Sequence, residues 1–167
     1  MFRSDNGRVA KITATPNPTL PRKGEGKQGH SKKERIGKMK KYLKEFEKLV
    51  DIMAKLRSKN GCMWDKEQTH ESLVKYLIEE SRELKKAVRK KDMKNLEEEL
   101  GDILLQVVFH AQIGRENKQF DIASIISILN KKLIRRHPHV YGNYKVKTTK
   151  DIEIMWKKVK AKEKLKK

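Results

Sequence analysis

Four carboxylates are spaced along the chain so that they could bind a metal ion together. Glu80 and Glu83 are three residues apart, and so are Glu99 and Asp102. Side chains at this spacing share one face of a helix. Glu80 also interrupts an apolar stripe at helical spacing, which consists of Leu73, Leu77, Leu84 and Val88. The sequence therefore predicts two helices that each present a pair of carboxylates.

The charge of these carboxylates requires a counterion if the two helices pack together, because partly buried carboxylates repel one another and lose hydration. Salt bridges to nearby lysines are one alternative, and we favour it for Glu97 and Glu98. Around Glu80 and Asp102, the neighbours one helical turn away are mostly apolar or acidic, which favours a divalent cation. None of the four carboxylates belongs to a Glu-x-x-His motif, which indicates Mg²⁺, with Mn²⁺ as a substitute, rather than a di-iron centre.

Two cations further along the chain have the spacing expected of a phosphate site. Lys132 and Arg136 are four residues apart and share one helix face, where two like charges repel unless an anion lies between them. Arg135 and Lys131 point to the side and are expected to be solvated. The alternative is that such a pair arises by chance in so basic a chain.

Helical patterns of apolar residues predict five helices and no strand. They cover residues 38–58, 69–90, 93–116, 121–136 and 151–165. Thr69 and Asp92 are predicted N-caps, and Pro138 explains the end of the fourth helix. The short connection at 90–92 predicts that the second and third helices are antiparallel. Residues 103–109 are apolar nearly all round and are expected at the centre of an all-α, compact bundle of four to five helices.

Composition limits the chain to one modest domain. It has 167 residues, one cysteine and no apolar run long enough to span a membrane, and we expect neither a disulfide nor a secretory signal. Residues 1–37 are rich in proline and glycine and are predicted to be a disordered basic extension of a catalytic domain at 38–167. Residues 1–41 carry 12 Lys/Arg against 3 Asp/Glu. The basic ends of the chain, residues 1–41 and 145–167, could attract polyanions weakly. The alternative is that their lysines are simply solvated and have no binding role.

The acidic pairs and their flanks together resemble the MazG family of nucleoside triphosphate pyrophosphohydrolases. The family signature is Glu-Glu-x-x-Glu followed by Glu-x-x-Asp, which matches Glu79-Glu80-Ser81-Arg82-Glu83 and Glu99-Leu100-Gly101-Asp102. The segments "LRSKNGCMWDKEQTH", "ELGDILLQVVFHA", "KLIRRHPHVYG" and "MWKKVK" resemble the family as well. Two departures are Met63, where the family usually has proline, and Asn95, where some members have a lysine that contacts phosphate.

The resemblance implies an all-α, Mg²⁺-dependent enzyme that cleaves NTPs or dNTPs to the monophosphate and pyrophosphate. It implies that the metal ligands are Glu80, Glu83, Glu99 and Asp102. It places Lys132 and Arg136 on phosphate and Trp156 near the base, a core tryptophan being the alternative for Trp156. Glu79 is interpreted as a residue that orients or deprotonates the attacking water, and Trp64 as structural.

The resemblance also implies a homodimer or higher homo-oligomer, cytoplasmic location and a housekeeping role in the nucleotide pool. Gly101, in mid-helix, is expected to allow close approach of a helix or of substrate. His137 and His139 are interpreted as helix-end and loop contacts. The alternative hypothesis for the whole chain is a basic nucleic-acid-binding or regulatory helical protein with an inactive core, in which the tails are the functional part.

Overall fold

The computed structural model describes residues 32–165, and the predictions made for residues 1–31 lie outside this range. Every regular element within the described range is a helix. The helices are α1 (Lys32–Leu56), α2 (Met63–Glu67), α3 (His70–Lys90), α4 (Met93–Glu116), α5 (Ile122–Arg136), α6 (Pro138–Tyr141) and α7 (Thr149–Lys164). None of the helices in residues 32–165 is long and apolar enough to cross a lipid bilayer.

The all-α prediction is confirmed, and the four helices that follow the first are placed to within two residues at each end. The predicted start of the first helix at residue 38 is wrong, since α1 already begins at Lys32. The short helices α2 and α6 were not predicted. Each has five residues or fewer, which is too short for a helical repeat of apolar residues to be recognised.

The helices α3 and α4 form an antiparallel hairpin with well-defined ends. At the start of α3, Thr69 Oγ1 accepts a hydrogen bond from Ser72 N at 3.2 Å, and Thr69 N donates to Ser72 Oγ at 2.9 Å. At the start of α4, Asp92 Oδ1 accepts from Asn95 N at 3.1 Å. Between them, Lys91 adopts the left-handed conformation with φ 56°, which reverses the chain within two residues. Both predicted N-caps are confirmed.

The core of the compact unit formed by residues 42–165 lies where α1, α3 and α4 meet. Its buried members are Met53, Leu73, Val108, Phe109 and Ile113. The prediction that all of residues 103–109 would be central is wrong in part, because Leu104 and Val107 are 40% and 37% exposed. Val88 is likewise exposed, and the buried residue near that end of α3 is Ala87.

The guanidinium of Arg57 holds three elements together just after α1. Its Nη2 donates to Glu116 Oε2 at 2.8 Å at the end of α4, and its Nη1 donates to the backbone carbonyls of Asp65 and Gln68. The guanidinium carbon lies 5.5 Å from the centre of the Phe109 ring, and the side chain is 7% exposed. Arg57 therefore fixes the end of α1 and the α2 segment against α4, next to the core.

Candidate metal centre and basic groove

The α3–α4 hairpin brings three of the four predicted metal ligands together. Carboxylate oxygens of Glu80, Glu99 and Asp102 all lie within 4.8 Å of one another. The arrangement follows from the sequence, because Glu99 and Asp102 are one helical turn apart and α3 runs antiparallel to α4 beside them. We call these three residues the carboxylate cluster.

The carboxylate cluster is electrostatically strained. Burial raises the pKa of Glu80 above its usual value, and the negative charges of Asp102, Glu99, Glu79 and Glu83 raise it further. Glu99 is 8% exposed, and its Oε1 accepts a hydrogen bond of 3.2 Å from Asn95 Nδ2. In the part of the chain that the structure describes, no Lys or Arg forms an ion pair with any of the three. Salt bridges from lysines therefore do not neutralise Glu80 and Asp102 within the described residues.

Glu83 and Glu79 lie beside the carboxylate cluster and are not part of it. Glu83 Oε1 accepts from Lys86 Nζ at 2.7 Å on the same helix, and its side chain is 39% exposed. Glu79 is exposed. Both are close enough for their charge to raise the pKa of Glu80. An exposed pair between residues three apart is weak, so that Glu83 can leave Lys86 at little cost.

The donor set of the carboxylate cluster fits a hard divalent cation. It offers only carboxylate oxygens, with no cysteine or histidine among its three members. Such a set suits Mg²⁺ or Mn²⁺ rather than zinc or copper, which prefer nitrogen and sulfur ligands. The cluster could therefore hold a metal ion of this class.

A second feature, which we call the basic groove, lies between α5 and α7 and has a volume of about 1160 Å³. Both predicted phosphate residues, Lys132 and Arg136, line it. Its other charged lining residues are Lys131, Arg135, Lys158, Lys162 and Glu163. Its apolar lining includes Ile128, Met155 and Val159. The groove thus combines an apolar floor with six cationic side chains and one carboxylate.

The single carboxylate of the basic groove binds two arginines. Arg135 Nε donates to Glu163 Oε1 at 2.7 Å, and Arg136 Nη2 donates to Glu163 Oε2 at 2.7 Å. The side chain of Arg135 is 54% exposed, as expected of a solvated residue, but it also shares the carboxylate of Glu163 with Arg136, which was not predicted. Sequence reasoning missed Glu163 altogether, and nothing in its local pattern sets it apart from the lysines around it.

Trp156, predicted to lie near the base, is half-buried beside the last turn of α5. Its ring meets that of His137 edge to face, with 5.6 Å between centroids. Its buried Nε1 has no hydrogen-bond partner within residues 32–165. His137 Nδ1 lies 2.6 Å from the Leu133 carbonyl oxygen at the end of α5, which confirms its interpretation as a helix-end contact. Trp64 packs edge to face on Tyr76 and Phe109, which supports its structural role.

Beyond Glu99 and Asp102, the polar residues Gln106 and His110 continue along α4 at helical spacing. Gln106 is 6% exposed and its Oε1 has no partner among the described residues. Further along, His110 Nδ1 lies 2.7 Å from His70 Nδ1 on α3, with the two rings stacked. Helical spacing from Glu99 marks Gln106 and His110, whereas only the tertiary fold reveals His70 as a partner.

Comparison with known proteins agrees with this geometry. Residues 68–141 match the family model described as the MazG nucleotide pyrophosphohydrolase domain. The nucleoside triphosphate pyrophosphohydrolase/pyrophosphatase MazG of Thermotoga maritima is 57% identical over 122 residues, which is 73% of this chain and 46% of that protein. A nucleoside triphosphate pyrophosphohydrolase of Escherichia coli K12 is 38% identical over 126 residues, or 75% of this chain and 48% of that protein.

A solved structure extends the likeness over nearly a whole chain. The crystal structure of a MazG-related protein from Thermotoga maritima superimposes on this chain with a TM-score of 0.58 and 31% sequence identity. The match covers 69% of this chain and 98% of that protein. The chain belongs to the MazG family. It spans about half the length of the two curated MazG relatives described above. The matched range 68–141 contains both acidic pairs, Lys132 and Arg136, whereas Trp156 and Glu163 follow it.

Proposed function

We propose that this chain hydrolyses nucleoside triphosphates, ribo- or deoxyribo-, to the monophosphate and pyrophosphate with Mg²⁺ bound at the carboxylate cluster. The observation that carries the proposal is that carboxylate oxygens of Glu80, Glu99 and Asp102 lie within 4.8 Å of one another, while no Lys or Arg of residues 32–165 forms an ion pair with them. Three anions held together at this cost to stability are expected where a cation binds. Membership of the MazG family supports the reaction class.

The residues of α3 and α4 would hold the metal and the attacking water. Glu80, Glu99 and Asp102 supply the first ligands, and Glu83 joins them by leaving Lys86. Bound Mg²⁺ would neutralise triphosphate charge and polarise the phosphorus–oxygen bond that breaks. Glu79, exposed beside Glu80, would accept the proton of the water whose oxygen joins phosphorus. Mn²⁺ would substitute for Mg²⁺ because it also prefers oxygen ligands.

The basic groove would hold the remainder of the substrate. Lys132 and Arg136 would neutralise phosphate oxygens as the substrate binds. Trp156 is not among the residues that line the groove, so the base would leave the groove to reach its face. Stacking on a tryptophan discriminates weakly between bases. We propose a housekeeping role in the cytoplasmic nucleotide pool, with which weak base selectivity would be consistent.

The test is release of pyrophosphate by the full chain from a panel of NTPs and dNTPs in millimolar Mg²⁺. We expect activity that disappears in EDTA and in Glu80→Gln and Asp102→Asn, because each variant removes a metal ligand. Glu97→Gln, on an exposed position of the same helix α4, is the matched control and should retain activity.

Two outcomes would contradict the proposal. Pyrophosphate release that persists in EDTA and in Glu80→Gln would show that the carboxylate cluster is not the catalytic centre. No release from any nucleotide, together with binding of polynucleotides by the full chain, would support the alternative of a basic nucleic-acid-binding protein with an inactive core.

A further inference from the structure

Glu163 holds both arginines of α5 at the edge of the basic groove. Its two carboxylate oxygens accept from Arg135 Nε and from Arg136 Nη2, each at 2.7 Å, and Arg136 Nε lies 3.3 Å from both oxygens. The side chain of Glu163 is 18% exposed, and that of Arg136 is 30% exposed. The carboxylate of Glu163 is therefore largely shielded from solvent between α5 and α7.

The contact uses only one edge of the Arg136 guanidinium. An arginine carries one N–H on Nε and two on each terminal nitrogen. Glu163 takes the Nε and Nη2 edge, which leaves both hydrogens of Nη1 and one of Nη2 without a hydrogen bond among the described residues. These free hydrogens form the end-on fork that binds two phosphate oxygens at once.

We infer that Glu163 is a positioning residue, which clamps Arg136 from behind so that the free end of its guanidinium is held ready for a substrate phosphate. The inference rests on the proposed function, since it concerns the phosphates of a triphosphate in the basic groove. It assigns a role on α7, outside the range matched by the family model, to the only acidic side chain that lines the groove in the described part of the chain.

The clamp is maintained over the whole physiological pH range. Hydrogen bonds from Arg136 and Arg135 lower the pKa of Glu163 to about 2, so that the carboxylate stays charged. An ordered guanidinium binds phosphate with less loss of side-chain entropy than a mobile one.

The sign of the effect distinguishes positioning from simple electrostatics. Removing a negative charge from the groove would tighten anion binding if Glu163 only repelled phosphate or competed with it for Arg136. If Glu163 positions Arg136, its removal should instead weaken anion binding, because the ligand would have to order the side chain of Arg136.

The experiment compares Glu163→Gln with the wild-type full chain in two assays. Binding of inorganic tripolyphosphate, measured by calorimetry without divalent metal, should weaken about three- to tenfold, the range expected when one rotamer-rich side chain must be ordered on binding. In NTP hydrolysis, KM should rise by a similar factor while kcat changes less than about twofold, since binding and not chemistry is affected.

The matched control is Glu153→Gln, which removes the same charge from an exposed position of the same helix α7. It should leave both tripolyphosphate binding and KM as in the wild type. Glu163→Asp keeps the charge but shortens the side chain, and it should weaken binding as well, because the carboxylate no longer reaches both arginines. Helix content and melting temperature are measured for each variant, so that unfolding is separated from loss of the clamp.

Tripolyphosphate binding by Glu163→Gln that equals or exceeds that of the wild type would overturn the inference, and so would binding by Glu163→Asp equal to that of the wild type. So would a wild-type chain that does not bind tripolyphosphate. A wild-type chain that binds tripolyphosphate but hydrolyses no nucleotide would refute the proposed function alone, and the calorimetric comparison would then still decide the role of Glu163.

Discussion

At the scale of single residues, Glu80 lies where its negative charge lowers the free energy of unfolding. Burial and four neighbouring carboxylates raise its pKa, and Asn95 is the only hydrogen-bond donor to the carboxylate cluster among the described residues. A cation bound by the carboxylate cluster would offset the free-energy cost of holding these anions together. Binding to the folded state alone then raises the free energy of unfolding.

We therefore predict that Mg²⁺ raises the melting temperature of the chain. At a concentration about ten times the dissociation constant, the expected rise is about 3–6 °C. Asp102→Asn should melt higher than the wild type without metal, because one repelling charge is gone, and should respond little to Mg²⁺. The measurement is thermal unfolding by circular dichroism, with NaCl at equal ionic strength as the control. Equal shifts with NaCl and with Mg²⁺ would refute specific binding.

His110 gives a second prediction at the residue scale. Burial, and then the neighbouring His70, lower the pKa of His110 below its usual value. Because the unfolded chain takes up this proton first as pH falls, stability decreases as pH falls below about 6.5 and levels off below the pKa of the folded state.

The measurement for His110 is the melting temperature of the wild type and of His110→Gln at pH 7.5 and pH 5.0. Subtracting the two proteins removes the contribution of the carboxylates, which both retain. We expect the wild type to lose more stability than the variant over this interval. An equal loss in the two proteins would mean that His110 titrates as it does in the unfolded chain.

At the scale of secondary-structure elements, Arg57 is the side chain that joins α1, the α2 segment and α4. Arg57→Ala would leave Glu116 without its partner, and the carbonyl oxygens of Asp65 and Gln68 without their donor. Burial alone would raise the pKa of Glu116, but hydrogen bonds from Arg57 and Gln112 lower it overall. The ion pair is thus favourable in the folded state.

We predict that Arg57→Ala lowers the free energy of unfolding by about 2–3 kcal/mol, somewhat less than the 3–5 typical of fully buried pairs because Glu116 is partly exposed. Urea denaturation at fixed protein concentration measures this loss. Arg89→Ala, which removes an exposed arginine of α3, should change stability by no more than about 0.5 kcal/mol. A similarly small change in Arg57→Ala would show that the ion pair between Arg57 and Glu116 does not contribute to the free energy of unfolding.

The positions of the long helices were predictable because their causes are local. Thr69 and Asp92 act as caps within three residues of their partners, and apolar spacing identifies the buried face of α3 and α4. The exposure of Val88 and Val107 could not be predicted, since an apolar pattern does not show which faces of a helix its neighbours cover. Gly101 is also exposed, and a side chain there would meet nothing within 4 Å, so the expected close approach of a helix does not occur within the described residues.

The carboxylate cluster was predictable for the same local reason, whereas contacts across the fold were not. Helical spacing alone marks Glu99 and Asp102, and a short connection places Glu80 opposite them. The partners Arg57 and Glu116 are 59 residues apart, and Arg136 and Glu163 are 27 apart. Long charged side chains are common on this chain, and only the packing of the helices decides which of them meet.

At the scale of the whole molecule, α4 leaves one apolar face without a partner in the described chain. Leu100, Leu104 and Val107 recur at helical spacing and are 53%, 40% and 37% exposed. At about 100° per residue, the centre of this group lies about 130° around α4 from that of Glu99, Asp102 and Gln106. A row of exposed apolar residues on a helix is expected where another protein surface covers it. We propose that a second copy of this chain covers this face of α4, which would form the predicted homo-oligomer.

Leu104→Lys tests this assembly, because a symmetric contact would bring two added charges together in a desolvated interface. Light scattering coupled to size-exclusion chromatography should give the mass of a dimer or larger assembly for the wild type, and the mass of one 19.6 kDa chain for Leu104→Lys. Leu165→Lys, at an 88% exposed position beyond α7, is the control and should assemble like the wild type. A wild type that elutes as a single chain, or a Leu104→Lys variant that assembles normally, would place the interface elsewhere or exclude it.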